Sequence, residues 1–405
     1  MIADEQFIAV QVPGNISELA CNCMSSDDHA RLRVSGPLDS GVVGQSLLPA
    51  EAYTDAAWFA AEQHTIFGAG WVWAGYEHWL AEIGDVHPVT IAGQPLVLVR
   101  GRDGIDVFHN VCRHRGFLLC DEPSSMTRIR CPYHGWAYGL DGSLQATPYW
   151  DGSRKGGPDD DTRDQLHLEV VASAVWAGMV FVHLGPVDRS FADALAALSE
   201  LWAPLDLGRL AHVETRRFDV AANWKLVVEN FLDFYHLPFI HAQVGSAAAA
   251  LDVDDVVLDE RIIGGTYPRG ATGKASKAGR PMPTFGDVPL EAQARQDLFC
   301  LFPNALLFME ADWFQVIGFE PIAPDRTIEH MALFVDRDAI GDEFAIARSS
   351  LADVIFGVNE QDVPVLARLQ AGRRSPASGR GNLVAHWDQI GARFQSLARD
   401  AMPRQ

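Results

Sequence analysis

Two short Cys–His pairs constrain this chain more than any other feature. Cys112-Arg113-His114 and Cys131-Pro132-Tyr133-His134 are separated by sixteen residues. Each pair is short enough to sit on one loop, so four donors can converge on one centre. Cys2His2 sets suit either a single tetrahedral zinc or a two-iron cluster. Local sequence favours the cluster. Gly116 follows the first pair, and Pro132 and Gly135 flank the histidine of the second. Both pairs adjoin β-like sequence, whereas a zinc finger places its histidines on a helix. Cys120 lies between the pairs but outside the pattern and reads as a small packed hydrophobe. Cys21 and Cys23 form a C-x-C with no histidine or second pair nearby, so no metal site is assigned there.

A length of 405 residues accommodates about two domains. Lys and Arg total 32 against 53 Asp and Glu, a formal net charge of −21. Such a surface repels nucleic acid and anionic membranes and suits solubility or a basic partner. The N-terminal residues lack a basic region followed by a long apolar run, and no stretch approaches the roughly 20 apolar residues of a membrane span. The expected location is cytoplasmic.

Hydrophobic patterning divides the chain into an N-terminal arm (1–47), a region of one helix and short strands (48–170), and a larger mixed region (171–405). Residues 48–67 carry apolar side chains at helical spacing behind Pro49. Short β-like runs follow, punctuated by Ala92-Gly93, Gly101 and Asp103-Gly104, which predicts a small antiparallel unit over about 70–165. Further strands are expected at 175–184, 298–307, 313–321 and 328–335. Helices are expected at 191–202 and 223–236, with two more at the C-terminus. Residues 264–287, rich in Gly, Lys, Arg and Pro, read as a long loop of the kind that often serves as a lid.

A second constellation lies about a hundred residues beyond the first. In ANWKLVVENFLDFYHLPFIHA, Asp233, His236 and His241 fall within nine positions. On a continuous helix Asp233 and His236 are i, i+3 neighbours. Pro238 disturbs the helix and lets His241 swing back toward the same point. Two histidines plus a carboxylate from elsewhere make the facial triad of non-haem Fe(II) oxygenases, which leaves positions open for O2, water or substrate. Asn230 is a candidate to hydrogen-bond water near such an iron, or equally to satisfy local backbone.

The pattern C-x-H, 15–17 residues, C-x2-H, with its flanks NVCRHRG and CPYHGWAYGLDG, resembles the Rieske [2Fe–2S] family. The order of that pattern, then NWK, then EN-x2-D-x-YH-x4-H, is similar to the catalytic alpha subunit of Rieske non-haem iron oxygenases over nearly the whole chain. The resemblance implies an α+β fold: a small all-β Rieske domain plus a helix-grip (START-like) antiparallel-sheet domain. It implies a Rieske [2Fe–2S] cluster with Cys112 and Cys131 on one iron and His114 and His134 on the other. It also implies a mononuclear Fe(II) bound by His236 and His241. For the third ligand, the family's acid, seven residues, then Q-x-G matches at Asp362, with Glu360 as the fallback. Asp233 is implied to bridge His236 to His134 of a neighbouring subunit, since a carboxylate can accept bonds from two imidazoles at once.

No dinucleotide or flavin fingerprint is present, so electrons are expected from a separate ferredoxin or NAD(P)H-dependent flavin reductase. Arg113 and Arg115 are candidates for docking that carrier, or for pairing with this protein's own acids. A head-to-tail homotrimer is the simplest closed arrangement for a route between subunits. The expected reaction is hydroxylation or oxidative dealkylation (N- or O-demethylation) of a small aromatic or amine-bearing molecule. The alternatives are cis-dihydroxylation of an aromatic ring and, outside enzymes, a cluster-bearing electron carrier or ligand-binding protein. Phe231, Phe234, Phe239, Phe302, Phe308, Trp313 and Phe314 are candidates either for an apolar pocket or for core.

Overall fold

The structure is a computed structural model. It describes residues 44, 46–241, 256–269, 278–378, 381–384 and 386–403. Cys21, Cys23 and nearly all of the N-terminal arm lie outside the described residues, as do 270–277 of the expected loop. Strands account for 262–268 at the start of that expected loop.

The first unit is built from short strands whose side chains alternate between two cores. Strands β1 (Trp71–Tyr76), β2 (Asp85–Ile91), β3 (Gln94–Arg100), β4 (Ile105–His109) and β5 (Ser124–Ser125) come first. They are followed by β6 (Ile129–Arg130), β7 (Ala137–Tyr138) and β8 (Leu144–Ala146). β2 and β3 join through Ala92-Gly93, both at positive φ, a two-residue turn whose twist matches the flanking strands. One sheet runs β4-β3-β2-β5 and another β6-β7-β8. In β3, Val97 and Val99 face the core that also holds Cys112, Cys131, Trp136 and Tyr138. Leu96 and Leu98 point the other way, into the core shared with the larger unit. One strand thus links the two Cys–His loops to the rest of the molecule.

A further sheet, β1-β10-β9, uses β9 (Ala172–Trp176) and β10 (Met179–His183). Its hydrogen bonds cross the division drawn at 170/171, because β1 pairs with β10. The larger unit centres on seven strands: β11 (Leu210–Val220), β12 (Val256–Asp259), β13 (Ile262–Pro268), β14 (Arg295–Leu301), β15 (Ala305–Met309), β16 (Trp313–Ala323) and β17 (Arg326–Asp336). Their order is β11-β17-β16-β15-β14-β13-β12, antiparallel throughout. One face packs Trp313, Ile317, Met331 and Leu333 against the helices Trp224–Leu232, Ala345–Arg373 and Gln389–Asp400. The opposite face packs Phe314, Val316, Ala332 and Phe334 against Trp73, Tyr76 and Trp202. Among the described residues no helix is long and apolar enough to cross a membrane.

Several expected elements differ in detail. The stretch 298–307 is two strands, broken where Phe302-Pro303-Asn304 turns the chain. Helix 191–202 is two short helices, Phe191–Ala194 and Ala196–Leu201. Helix 48–67 divides at Asp55, whose side chain caps Ala56–Glu62 by accepting the Trp58 N–H. Helix 223–236 begins as expected, with Asn223 capping the Lys225 N–H at 3.0 Å, but it ends at Leu232.

That helix is seated by a buried ionic network. Lys225, fully buried, donates to Glu62 at 2.6 Å, and Trp224 Nε1 donates to the other Glu62 oxygen at 2.9 Å. One turn on, Glu229 accepts from Tyr53 and from Gln395 at 3.1 Å. Burial pulls the Lys225 ammonium below the ordinary lysine range, and Glu62 opposes that shift. Removing one partner leaves the other as an uncompensated buried charge. Lys225→Met is therefore expected to destabilise the fold by about 3–5 kcal/mol in denaturant unfolding. The Glu62→Leu/Lys225→Met double variant should recover most of that loss. A single-variant loss within the ~1 kcal/mol of an exposed pair would contradict this reading.

Candidate metal centres and the cavity beside them

The two Cys–His loops share one backbone frame. The Cys112 N–H donates to the Phe117 carbonyl at 2.8 Å, and the Gly116 N–H donates to the Cys112 carbonyl at 2.9 Å. The Cys131 N–H donates to the Trp136 carbonyl at 2.8 Å, and the Gly135 N–H to the Cys131 carbonyl at 3.0 Å. Gly116 and Gly135 sit at φ +70° and +74°, the left-handed region where a Cβ is penalised. This is why a glycine follows each pair. The loops place Cys112 and Cys131 in the core and leave His114 and His134 exposed, their ring centroids 4.7 Å apart. His114 stacks on Trp136, and His134 lies against Tyr133. Neither cysteine is in a disulfide.

Two buried sulfurs on the inside and two exposed imidazoles on the outside form a donor set that fits a cluster with unlike ends. Tyr138 adds to it. Its hydroxyl accepts the Arg113 N–H at 3.0 Å, so its own proton is free to donate to Cys112 Sγ, 3.3 Å away. Hydrogen bonds to cluster sulfurs are one of the levers on its potential. Cys120 is held apart: Asn110 donates to its carbonyl and accepts its N–H, and burial pushes its thiol up to about 11. Arg113 pairs with Glu169 at 2.7 Å, so its charge is answered within the chain.

At the second constellation three donor atoms face one another. The Nε2 atoms of His236 and His241 are 3.2 Å apart, and Asp362 Oδ1 lies 3.0 Å from the His241 Nε2 and 3.7 Å from that of His236. The outer nitrogens fix the tautomers. His236 Nδ1 is 3.1 Å from Asp233 Oδ2, and His241 Nδ1 is 2.8 Å from Gln361 Oε1. Both partners accept, so the protons sit on Nδ1 and the Nε2 lone pairs point inward. Asp362 Oδ1 is itself buried without a hydrogen-bond donor. Burial opposes charging His241, yet Asp362 and Gln361 lift its pKa above the ordinary histidine value. A spot that attracts positive charge, ringed by two imidazoles and a carboxylate, fits a divalent cation with open positions. Among the described residues this is the one such group.

The route by which Asp233 reaches His236 differs from the expected helix face. Asp233 is the C-terminal cap of Trp224–Leu232, with extended backbone, and its Oδ1 accepts the Tyr235 N–H at 2.6 Å. That Asx turn swings His236 back beneath its own carboxylate. Pro238 starts the short helix Leu237–Ile240 instead of breaking one. Asn230 faces the site, with Nδ2 3.5 Å from the His236 Nε2, and its carbonyl accepts the Asp233 N–H. Glu360 turns away toward Arg216 at 3.4 Å.

A cavity of about 150 Å³ adjoins the triad. Of the seven aromatic candidates, Phe231, Phe234, Phe308 and Trp313 line it, the last two stacked at 4.7 Å. Phe302 and Phe314 are core, and Phe239 is exposed on the surface. Its wall also holds two acids that sequence reasoning passed over. Burial pushes Glu310 and Glu329 each up to about 7. Glu310 is paired with Arg269 at 2.7 Å, and Glu329 accepts from Asn359 at 2.8 Å. Glu329 sits in an otherwise β-like run, TIEHMALF, where an acid at a strand's inward position was the available signal.

Residues 70–155 match the Rieske [2Fe-2S] domain family, and residues 207–404 match the ring hydroxylating alpha subunit (catalytic domain) family. The chain is 26% identical to the chloroplastic choline monooxygenase of Atriplex hortensis over 83% of this chain and 73% of that protein. It is 33% identical to the glycine betaine monooxygenase oxygenase subunit of Chromohalobacter salexigens over 52% of this chain, about half the length of that relative at 47%. A solved quaternary ammonium Rieske monooxygenase, described with carnitine oxidation and inter-subunit electron transfer, superposes with a TM-score of 0.71 at 20% identity, covering 89% of this chain and 96% of that one. With a cluster-type domain, an iron-type catalytic domain and the side chains for both gathered as above, the chain belongs to the Rieske non-haem iron oxygenases, oxidoreductases that incorporate O2.

Proposed function

We propose that this chain is the terminal oxygenase of a multicomponent system that hydroxylates or oxidatively N-dealkylates a small cationic amine. The observation that carries the reading is the cavity beside His236, His241 and Asp362, which combines a stacked Phe308–Trp313 wall with buried acids and, among the described residues, no Lys or Arg on its lining. Aromatic faces and carboxylates attract an ammonium group. The named relatives that act on choline and glycine betaine support the same class. Ring dihydroxylation of a neutral arene would gain nothing from those acids.

In this proposal Cys112, Cys131, His114 and His134 hold the [2Fe–2S] cluster, and His236, His241 and Asp362 hold the mononuclear iron. O2 activation at the iron, with electrons relayed through the cluster, is the chemistry these groups supply when bound. The chain's own work is positioning. Gln361 and Asp233 fix the two imidazoles through Nδ1–H, and Asn230 offers an amide toward the open side. Leu306, Ile317 and Met331 exclude water from the cavity. Electrons enter from a separate ferredoxin or flavin reductase at the exposed His114–His134 edge. Asp233, about a third exposed, is the bridge by which a neighbouring subunit's cluster reaches this chain's iron, in a homotrimer.

Turnover of an amine and arene panel with a surrogate reductase, read by product mass, tests the reaction class. The expected products are amines that have gained one oxygen or lost an alkyl group. Two-oxygen products from arenes alone would contradict it. Cys112→Ser and His134→Ala are expected to abolish the visible cluster absorbance while the protein stays folded, and a full spectrum in both would remove those ligands.

Asp233→Asn should retain both metals, with iron affinity lowered by the ~10–100-fold typical of such outer partners. An amide has one acceptor where the carboxylate uses two, for the Tyr235 N–H and the His236 Nδ1–H. In single turnover of pre-reduced protein, cluster oxidation and product formation should both nearly vanish. Wild-type rates with normal yield would take Asp233 out of the electron route.

A further inference from the structure

We propose that the carboxylate of Glu329 is the cation subsite of this cavity, the group that selects substrates carrying a quaternary ammonium. The proposal rests on the amine reading above and assigns it to one side chain. Glu329 lies on β17 between Phe218 and Phe319 of the neighbouring strands and beneath the helix Ala345–Arg373. It is 1% exposed and lines the cavity.

Its surroundings differ from those of the other buried acids. Glu62 is answered by Lys225, Asp336 by Arg209, Asp297 by Arg295 and Glu310 by Arg269. Asp362 faces two histidines. Among the described residues Glu329 alone of these has no basic partner, and Asn359 Nδ2, donating to Oε2, is its one hydrogen bond. Burial makes its ionisation costly, and the nearby charge of Asp362 adds to the cost. A glutamine would satisfy Asn359 equally well, so an acid here serves no need of the fold. It serves an incoming positive charge.

The rest of the cavity narrows the kind of cation. The wall around Glu329 is largely apolar, with Ile317, Met331 and Ile355, and the Phe308–Trp313 stack closes another side. A primary ammonium would leave N–H donors unsatisfied against such a surface. A nitrogen fully substituted with alkyl groups has no donors to satisfy, carries its charge on a methyl-sized shell and suits aromatic faces.

The test uses holoenzyme loaded with both metals and two probes of nearly one shape. These are choline and 3,3-dimethylbutan-1-ol, in which carbon replaces the charged nitrogen. Binding is followed by calorimetry in the wild type, in Glu329→Gln and in Glu329→Met, the last needing no hydrogen-bond partner should the amide fail to fold. The wild type is expected to prefer choline by about tenfold or more. Either folded variant should bring the two probes within about threefold by weakening choline alone. A wild-type preference that survives in the variants would overturn the role of Glu329 and leave the amine reading standing. A wild type with no preference would remove the amine reading and Glu329 with it.

Discussion

The catalytic half of the molecule hangs on one buried ammonium. Lys225 has no access to water and is neutralised by Glu62 from the N-terminal helix Ala56–Glu62, whose other oxygen takes Trp224 Nε1. That pairing locks the first turn of Trp224–Leu232 against residues more than 160 positions away in the chain. The far end of the same helix delivers Asn230, Asp233 and, one tight turn on, His236. Glu229, between them, is bonded to Tyr53 and Gln395 and faces Arg373 at 3.9 Å. The site is therefore set on a rod clamped at its base by ionic contacts in a medium where their loss is expensive.

Charge also organises the site end of the rod. Asp233 and Gln361 each take an Nδ1–H, so both histidines turn their lone pairs inward, and Asp362 adds a carboxylate oxygen with no donor of its own. Left to themselves these three groups would repel. They are held together by elements fixed elsewhere: the turn after Leu232 and the long helix Ala345–Arg373, which brings Asp362 from more than a hundred residues away. Asn359, one turn earlier on that helix, reaches Glu329. The helix thus positions the proposed third metal ligand and a hydrogen-bond partner of the cavity acid with the same face.

The residues legible in the sequence are those whose chemistry demands a short spacing. C-x-H and C-x2-H must each occupy one loop, and their glycines must take left-handed backbone. His236 and His241 needed only a local turn. Asp362 was legible only through the family pattern, because no local rule links it to His241. Gln361, Tyr138 and Glu329 were not legible, since their roles arise from which strands and helices meet. The helix expected over 223–236 is longer than the one observed because Phe234 and Leu237 continue its apolar spacing. Asp233 prefers a cap, where its carboxylate takes the Tyr235 N–H, and that preference wins. The apolar run over 298–307 has the pattern of one strand and hides the Phe302-Pro303-Asn304 turn.

The proposed separation of a cluster and a mononuclear iron with disjoint ligands is tested most directly by metal counting. Iron and acid-labile sulfide are measured per chain in the wild type and in Asp362→Ala, with the visible spectrum recorded alongside. The wild type should hold about three irons and about two sulfides, and Asp362→Ala about two of each with an unchanged cluster spectrum. Retention of the third iron in Asp362→Ala, or loss of the cluster with it, would contradict the assignment.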